Sequence, residues 1–217
     1  MESILSLYLV TDRELSNGRS LEEIVSEAVA GGVTIVQLRE KHASTGEFID
    51  LALRIKEILK PYHIPLIIND RLDIALAADA EGLHIGQSDM PYSIARKLLG
   101  PDKLIGLSVE NIDQLLEANK LDVDYVGISP VYGTPTKTDT AEPFGLKGLR
   151  EAIELSVHPT VAIGGMNADT IADVIKAGAD GVAVVSAICS AESPRAAAKR
   201  LSDIIGINRR NEERKPS

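Results

Sequence analysis

The run Gly127-Ile-Ser-Pro-Val-Tyr-Gly-Thr-Pro-Thr-Lys-Thr-Asp139 starts as an aliphatic strand and breaks at Pro130 into a loop rich in hydroxyls and glycine. Within it, Thr134, Pro135, Thr136, Lys137 and Thr138 set three hydroxyls beside one ammonium. Hydroxyl and backbone donors next to a lysine suit an anion, above all a phosphate. Long loops in compact domains are either functional or unstructured. Alone, this one reads equally as a solvated connection. The other aliphatic runs matter because most of them also end in polar clusters.

One such run ends Gln37-Leu38-Arg39-Glu40-Lys41. Side chains alternate along a strand, which puts Gln37, Arg39 and Lys41 on one face and Leu38 and Glu40 on the other. Two cations and an amide aimed at one mouth suit a diphosphate, with arginine as a planar fork and lysine as a point charge. The plain alternative is a solvated strand end with mixed-sign salt bridges. The next runs end Asn69-Asp70-Arg71 and His84-Ile85-Gly86-Gln87-Ser88-Asp89. Neighbouring strands lie about 5 Å apart, so Asp70 and Asp89 can share one cation. Two carboxylates completed by substrate phosphates and water are a typical Mg²⁺ set. Asp70 has a second use as N-cap of a helix opening at Arg71. Ser108 offers a hydroxyl after Leu107, or a helix cap. Gly164-Gly165 and Ser186 end two later runs, where close backbone approach and N–H groups suit a phosphate.

Other chemistries find little support. His42, His63, His84 and His158 lack a metal-ligand spacing and no cysteine pair accompanies them. His84 reads as a structural or supporting residue. No Gly-x-Ser-x-Gly elbow is present. The single cysteine, Cys189, excludes an intrachain disulfide and reads as a buried small residue. The mouth thus offers cations, carboxylates and hydroxyls, and no acyl-transfer nucleophile paired with a base.

These residues need a frame that brings strand ends together. The 217 residues are 44% hydrophobic with only two phenylalanines, five tyrosines and no tryptophan, which predicts an aliphatic core. That bias suits parallel strands buried on both faces. Strands are expected at Leu7–Thr11, Thr34–Leu38, Leu66–Asn69, Gly82–Ile85, Leu104–Leu107, Tyr125–Ile128, Thr160–Ile163 and Gly181–Val184. Helical periodicity falls between them, opening at Ser20 with a capping-box spacing to Glu23. Further helices are expected over Phe48–Leu59, Arg71–Ala78, Tyr92–Leu99, Ile112–Asn119, Leu146–Leu155, Ala168–Ala177 and Pro194–Ile205. Eight strand–helix repeats without a composition break predict an α/β fold, a single (β/α)₈ TIM barrel over residues 1–207. A charged, frayed tail is expected from Asn208 to Ser217. An open doubly wound sheet is the competing fold, weakened by the lack of a Gly-x-Gly-x-x-Gly fingerprint. The net charge of -9 argues against nucleic-acid and anionic-membrane binding. No run reaches membrane-spanning length and no leader pattern is evident, so a cytoplasmic chain is expected.

Taken in order from Leu7 to about Ile188, the motifs resemble the thiamine-phosphate synthase (thiamine-phosphate pyrophosphorylase) family. They are Leu-Tyr-Leu-Val-Thr-Asp12, Gln37 to Lys41, Ile68 to Arg71, Leu83 to Asp89, Gly106 to Ser108, Asp124 to Gly127, Thr134 to Asp139, Ala162 to Gly165, and Val185-Ser186. The resemblance implies condensation of hydroxymethylpyrimidine diphosphate with a thiazole phosphate, or its carboxylated form, to thiamine phosphate and diphosphate. It implies that Gln37, Leu38, Arg39, Glu40, Lys41, Asn69, Ser108 and Lys137 hold the pyrimidine diphosphate. Arg39, Lys41, Lys137 and Ser108 would be the catalytic group. Asp70 and Asp89 would hold Mg²⁺, and Thr134, Pro135, Thr136, Gly165, Val185 and Ser186 the thiazole phosphate. The expected partners are the two small-molecule substrates, with a homo-oligomer left open. Gly133 stands where the family often has proline. A thiazole tautomerase, a silent barrel binding a thiamine-related phosphate and another sugar-phosphate barrel are the alternatives. The first and third are disfavoured by the aspartate pair, the second by the full charged mouth.

Overall fold

Short aliphatic runs rich in Ile, Val and Leu pair in chain order: β1 (Leu7–Val10), β2 (Ile35–Leu38), β3 (Leu66–Asn69), β4 (Gly82–Ile85), β5 (Leu104–Val109), β6 (Tyr125–Ile128), β7 (Thr160–Ile163) and β8 (Gly181–Val184). Every neighbouring pair is parallel, and β8 returns to pair with β1, so the sheet is a closed barrel. The computed structural model describes residues 4–133 and 142–213. The helices are α1 (Leu21–Ala30), α2 (Thr45–Leu59), α3 (Leu72–Ala77), α4 (Tyr92–Leu99), α5 (Ile112–Ala118), α6 (Gly145–Leu155), α7 (Ile171–Lys176), α8 (Ser186–Cys189) and α9 (Pro194–Glu213). The (β/α)₈ barrel expected from the sequence is the observed architecture.

Strand alternation sorts the core into two layers. Leu7, Leu9, Val36 and Leu38 point outward and pack beneath the helices. Tyr8, Val10, Ile35, Ile67, Tyr125, Val161 and Ala183 fill the barrel interior. Local chemistry sets the helix starts. Ser20 accepts from the Glu23 amide at 3.2 Å and begins α1. At α2, the Ser44 amide donates to Glu47 Oε2 at 2.9 Å and Ser44 Oγ accepts from the Glu47 amide at 3.4 Å. This reciprocal cap starts the helix before Phe48, in a polar turn that apolar periodicity does not detect.

Three boundaries differ from expectation in ways that bear on function. Strand β5 runs on to Val109, so Ser108 is a strand residue. Helix α3 has Arg71 at its N-cap without a side-chain bond, so Asp70 does not cap it. The expected tail is helical as far as Glu213, because α9 continues through Asn208. Cys189 is buried, and burial pushes its thiol up to about 11. Among the described residues, no helix is long and apolar enough to cross a membrane.

Candidate active site

A cavity of about 560 Å³ opens at the C-terminal ends of the strands. Gln37, Arg39, Asn69, Ser108, Gly165, Val185 and Ser186 line it, which brings together expected residues from β2, β3, β5, β7 and β8. Among the described residues, Arg39 is the cation in this wall. Its Nη1 donates to Asp12 Oδ2 at 3.0 Å, and its backbone amide donates to Thr11 Oγ1, also at 3.0 Å. Only 14% of the Arg39 side chain and 11% of that of Asp12 are exposed, so the fork is held in one orientation.

The rest of that motif divides. Leu38 is fully buried in the outer core and does not reach the cavity. Glu40 pairs with Arg13, which donates from Nε to Oε1 at 3.0 Å and to Oε2 at 3.2 Å. Lys41 is exposed and lies outside the cavity wall, because β2 ends at Leu38 and the chain bends after Glu40. Strand alternation therefore describes Gln37 and Arg39 and stops there.

Asp70 sits just past β3 at φ 61, its amide donating to the His84 carbonyl at 2.9 Å. Asp89 folds back so that its Oδ2 accepts from the Gly86 amide at 2.7 Å. The two carboxyls meet. Desolvation, then the hydrogen bond and negative charge of Asp89, push the Asp70 carboxyl up to about 6. Two hard oxygen donors that repel each other in this way fit a divalent cation completed by phosphate oxygens and water, as Mg²⁺ prefers. Among the described residues they gather no third His, Cys, Asp or Glu.

On the opposite wall, Gly164 and Gly165 adopt φ 98 and φ 68, a region that favours glycine. A Cβ on Gly164 would stand 2.7 Å from Pro130 Cβ, and one on Gly165 2.8 Å from Tyr132 Cβ. The two glycines thus let the root of the β6 loop lie against β7, where the Val131 amide donates to the Ile163 carbonyl at 2.8 Å. Thr170 Oγ1 donates to the Gly165 carbonyl at 3.0 Å and fixes that turn. Val185 and the exposed Ser186 begin α8 beside it. Thr134, Pro135, Thr136 and Lys137 lie outside the described residues.

Several wall residues were not singled out from the sequence as site residues: Tyr8, Asp12, Tyr125, Ser129, Tyr132, Asn167 and Thr170. Parity offers a signal for Asp12, which continues the two-residue steps of Tyr8 and Val10 just past the end of β1. His84, expected to be structural or supporting, faces the interior and bonds Ser108 Oγ through Nε2 at 2.8 Å.

The family model described as thiamine monophosphate synthase matches residues 7–188. The thiamine-phosphate synthase of Albidiferax ferrireducens is 52% identical over 201 residues, covering 93% of this chain and 92% of the relative. That of Clostridium novyi is 48% identical, covering 94% and 100%. The solved thiamine phosphate pyrophosphorylase from Pyrococcus furiosus superposes with a TM-score of 0.87 at 38% identity, over 94% of this chain and 97% of that one. A 3-hexulose-6-phosphate synthase, at 21% identity and TM-score 0.67, shares the fold alone. The chain belongs to the thiamine monophosphate synthase family, as a transferase of thiamine biosynthesis.

Proposed function

We propose that the cavity joins hydroxymethylpyrimidine diphosphate to a thiazole phosphate, releasing diphosphate. The supporting observation is an anion-binding group at each side of one cavity: Arg39, fixed by Asp12, on the β2 wall, and the Gly164-Gly165 turn with Val185 and Ser186 on the other. A bisubstrate alkyl transfer between two phosphorylated ligands needs two such ends. Asp70 and Asp89 are the residues that would hold Mg²⁺, which supplies positive charge for a diphosphate leaving group when bound.

Arg39 stabilises negative charge as the bond between the pyrimidine methylene carbon and the diphosphate oxygen breaks. The electron-rich pyrimidine carries the transient positive charge, and the thiazole nitrogen then forms the new carbon–nitrogen bond. No protein atom becomes bonded to substrate. The chain's work is to position two ligands and exclude water between them. By resemblance, Lys137 adds a second cation to the diphosphate and Thr134, Pro135 and Thr136 complete the thiazole phosphate site. A cytoplasmic location belongs to the same reading.

The test is turnover with both purified substrates. Formation of thiamine phosphate and diphosphate, abolished by omitting either substrate or by chelating Mg²⁺, is the expected result. Isomerisation of the carboxylated thiazole phosphate alone, indifferent to Mg²⁺ and to the pyrimidine, would overturn it in favour of a tautomerase.

A further inference from the structure

Beneath the cavity, five polar side chains from five strands are linked in series by hydrogen bonds. Gln37 Nε2 donates to Tyr8 Oη at 2.9 Å, and Tyr8 Oη lies 2.7 Å from Tyr125 Oη. Tyr125 Oη lies 3.0 Å from His84 Nδ1, and His84 Nε2 lies 2.8 Å from Ser108 Oγ. The barrel is cleared to admit it. His84 pairs in register with Gly106, and Gly106 with Tyr125. A Cβ on Gly106 would stand 2.1 Å from Tyr125 Cζ, so the tyrosine ring crosses β5 through the space that a side chain would fill. A Cβ on Gly127 would meet His84 Cε1 at 3.3 Å. The rings of His84 and Tyr125 stack at 5.6 Å, and Tyr8 meets Tyr125 edge-on at 5.8 Å.

The direction of the chain follows from counting protons. Burial raises both phenols well above their ordinary value, so each keeps its single hydrogen. Tyr8 accepts from the Gln37 amide and therefore gives its hydrogen to Tyr125. Tyr125, having accepted, gives its own to His84 Nδ1. An acceptor at Nδ1 puts the imidazole hydrogen on Nε2, which donates to Ser108. Ser108 accepts from the protein and turns its own proton into the cavity.

We propose that Tyr8, Tyr125 and His84 are positioning residues that hold the Ser108 hydroxyl as a hydrogen-bond donor to substrate. The ligand group opposite Ser108 is then an acceptor, such as a diphosphate oxygen or an unprotonated ring nitrogen, and not an amino group. The reversed chain, with the Gln37 amide turned over, would make Ser108 an acceptor instead. The role in turnover rests on the synthase reading, whereas the imidazole tautomer does not.

Two measurements test this. In ligand-free protein labelled with ¹⁵N-histidine, the His84 resonances should show a protonated Nε2 and an unprotonated Nδ1; the opposite tautomer overturns the proposal. In turnover, Tyr125→Phe should lower kcat about tenfold in an otherwise unaltered chain, the scale of one hydrogen bond. Added to Ser108→Ala, it should lower kcat no further, because its effect passes through that hydroxyl. Equal losses in both backgrounds would mark Tyr125 as merely structural and overturn the positioning role. A wild-type protein with the Nε2–H tautomer but no turnover would support the hydrogen-bond order while removing the synthase reading.

Discussion

The meeting of Asp70 and Asp89 raises the pair's hold on a proton, and on the proposed reading a divalent cation would compete for the same place. Desolvation and the neighbouring carboxylate raise Asp70 from 3.8 to about 6 in the fold. The native state therefore holds that proton more tightly than the unfolded chain does. As pH rises from about 4 to about 6, the unfolded chain releases it first, and the metal-free fold loses stability across that window. A divalent cation neutralises the pair, so added Mg²⁺ should raise the melting temperature at pH 7 and do little at pH 4. Asp89→Asn should remove the part of the pH-dependent loss that its charge adds to desolvation, and weaken the Mg²⁺ effect with it. Melting curves of both proteins across this range, with Mg²⁺ or chelator, check it. Identical Mg²⁺ responses in the two would exclude a shared site. That Asp70 and Asp89 approach each other was legible, because neighbouring strands bring their ends within about 5 Å. The placement of Lys41 was less so: alternation carries past β2 to Arg39 and is lost where the chain bends at Lys41. Tyr8 and Tyr125 sit in apolar runs, where an aromatic reads as core, and nothing local reveals that their hydroxyls meet.

At the scale of elements, what the strands omit matters as much as what they carry. Gly106 lies mid-strand in β5, where glycine weakens a strand, and its missing side chain is the passage for the Tyr125 ring. Gly106→Ala would drive a methyl into that ring, which is wedged between His84 and Tyr8. Overpacking of this kind costs about 1–3 kcal/mol. The protein should unfold at lower denaturant with unchanged m, and kcat should fall with it as the Tyr125–His84 bond is displaced. Loss of stability with full kcat would show that the ring can shift without disturbing Ser108. At the other end of the barrel, acidic residues just before strands accept from a first or second amide of the preceding strand. Glu81 accepts from Leu66 at 2.9 Å, Asp124 from Ile105 at 2.7 Å and Asp180 from Thr160 at 2.8 Å. Strand existence was readable from aliphatic runs between turn residues. These caps were not, because the partners lie 15, 19 and 20 residues apart in sequence and become adjacent only when the strands pair.

The whole molecule depends on a seam where β8 meets β1, and α9 lies over it. Leu201 and Ile205 are buried, and Gly31 lets the end of α1 approach so closely that a Cβ there would stand 2.4 Å from the Arg195 carbonyl. Apolar periodicity predicts this helix as far as Ile205 and then fails, because the continuation, Asn208 onward, is polar. The structure shows what that polarity does. Asn208 is buried and its Nδ2 donates to the Ile204 carbonyl at 2.8 Å. Arg209 donates to Ser6 Oγ at 2.8 Å and to the Asp180 carbonyl, tying together the segments that lead into β1 and β8. This clasp lies at the N-terminal ends of the strands, the face that serves stability in such barrels, away from the cavity. Arg209→Ala should therefore cost about 1–2 kcal/mol, the scale of bonds made by a charged donor, and leave kcat unchanged. For a domain of this size that is a fall of roughly 2–8 °C in melting temperature. Removing residues 208–217 should cost more than the single substitution, since it also exposes the last turns of α9 over the seam. Calorimetry and turnover on both variants separate the alternatives. An unchanged melting temperature after truncation would make the polar segment a passenger, whereas a loss of kcat in folded Arg209→Ala protein would mean that the seam communicates with the mouth.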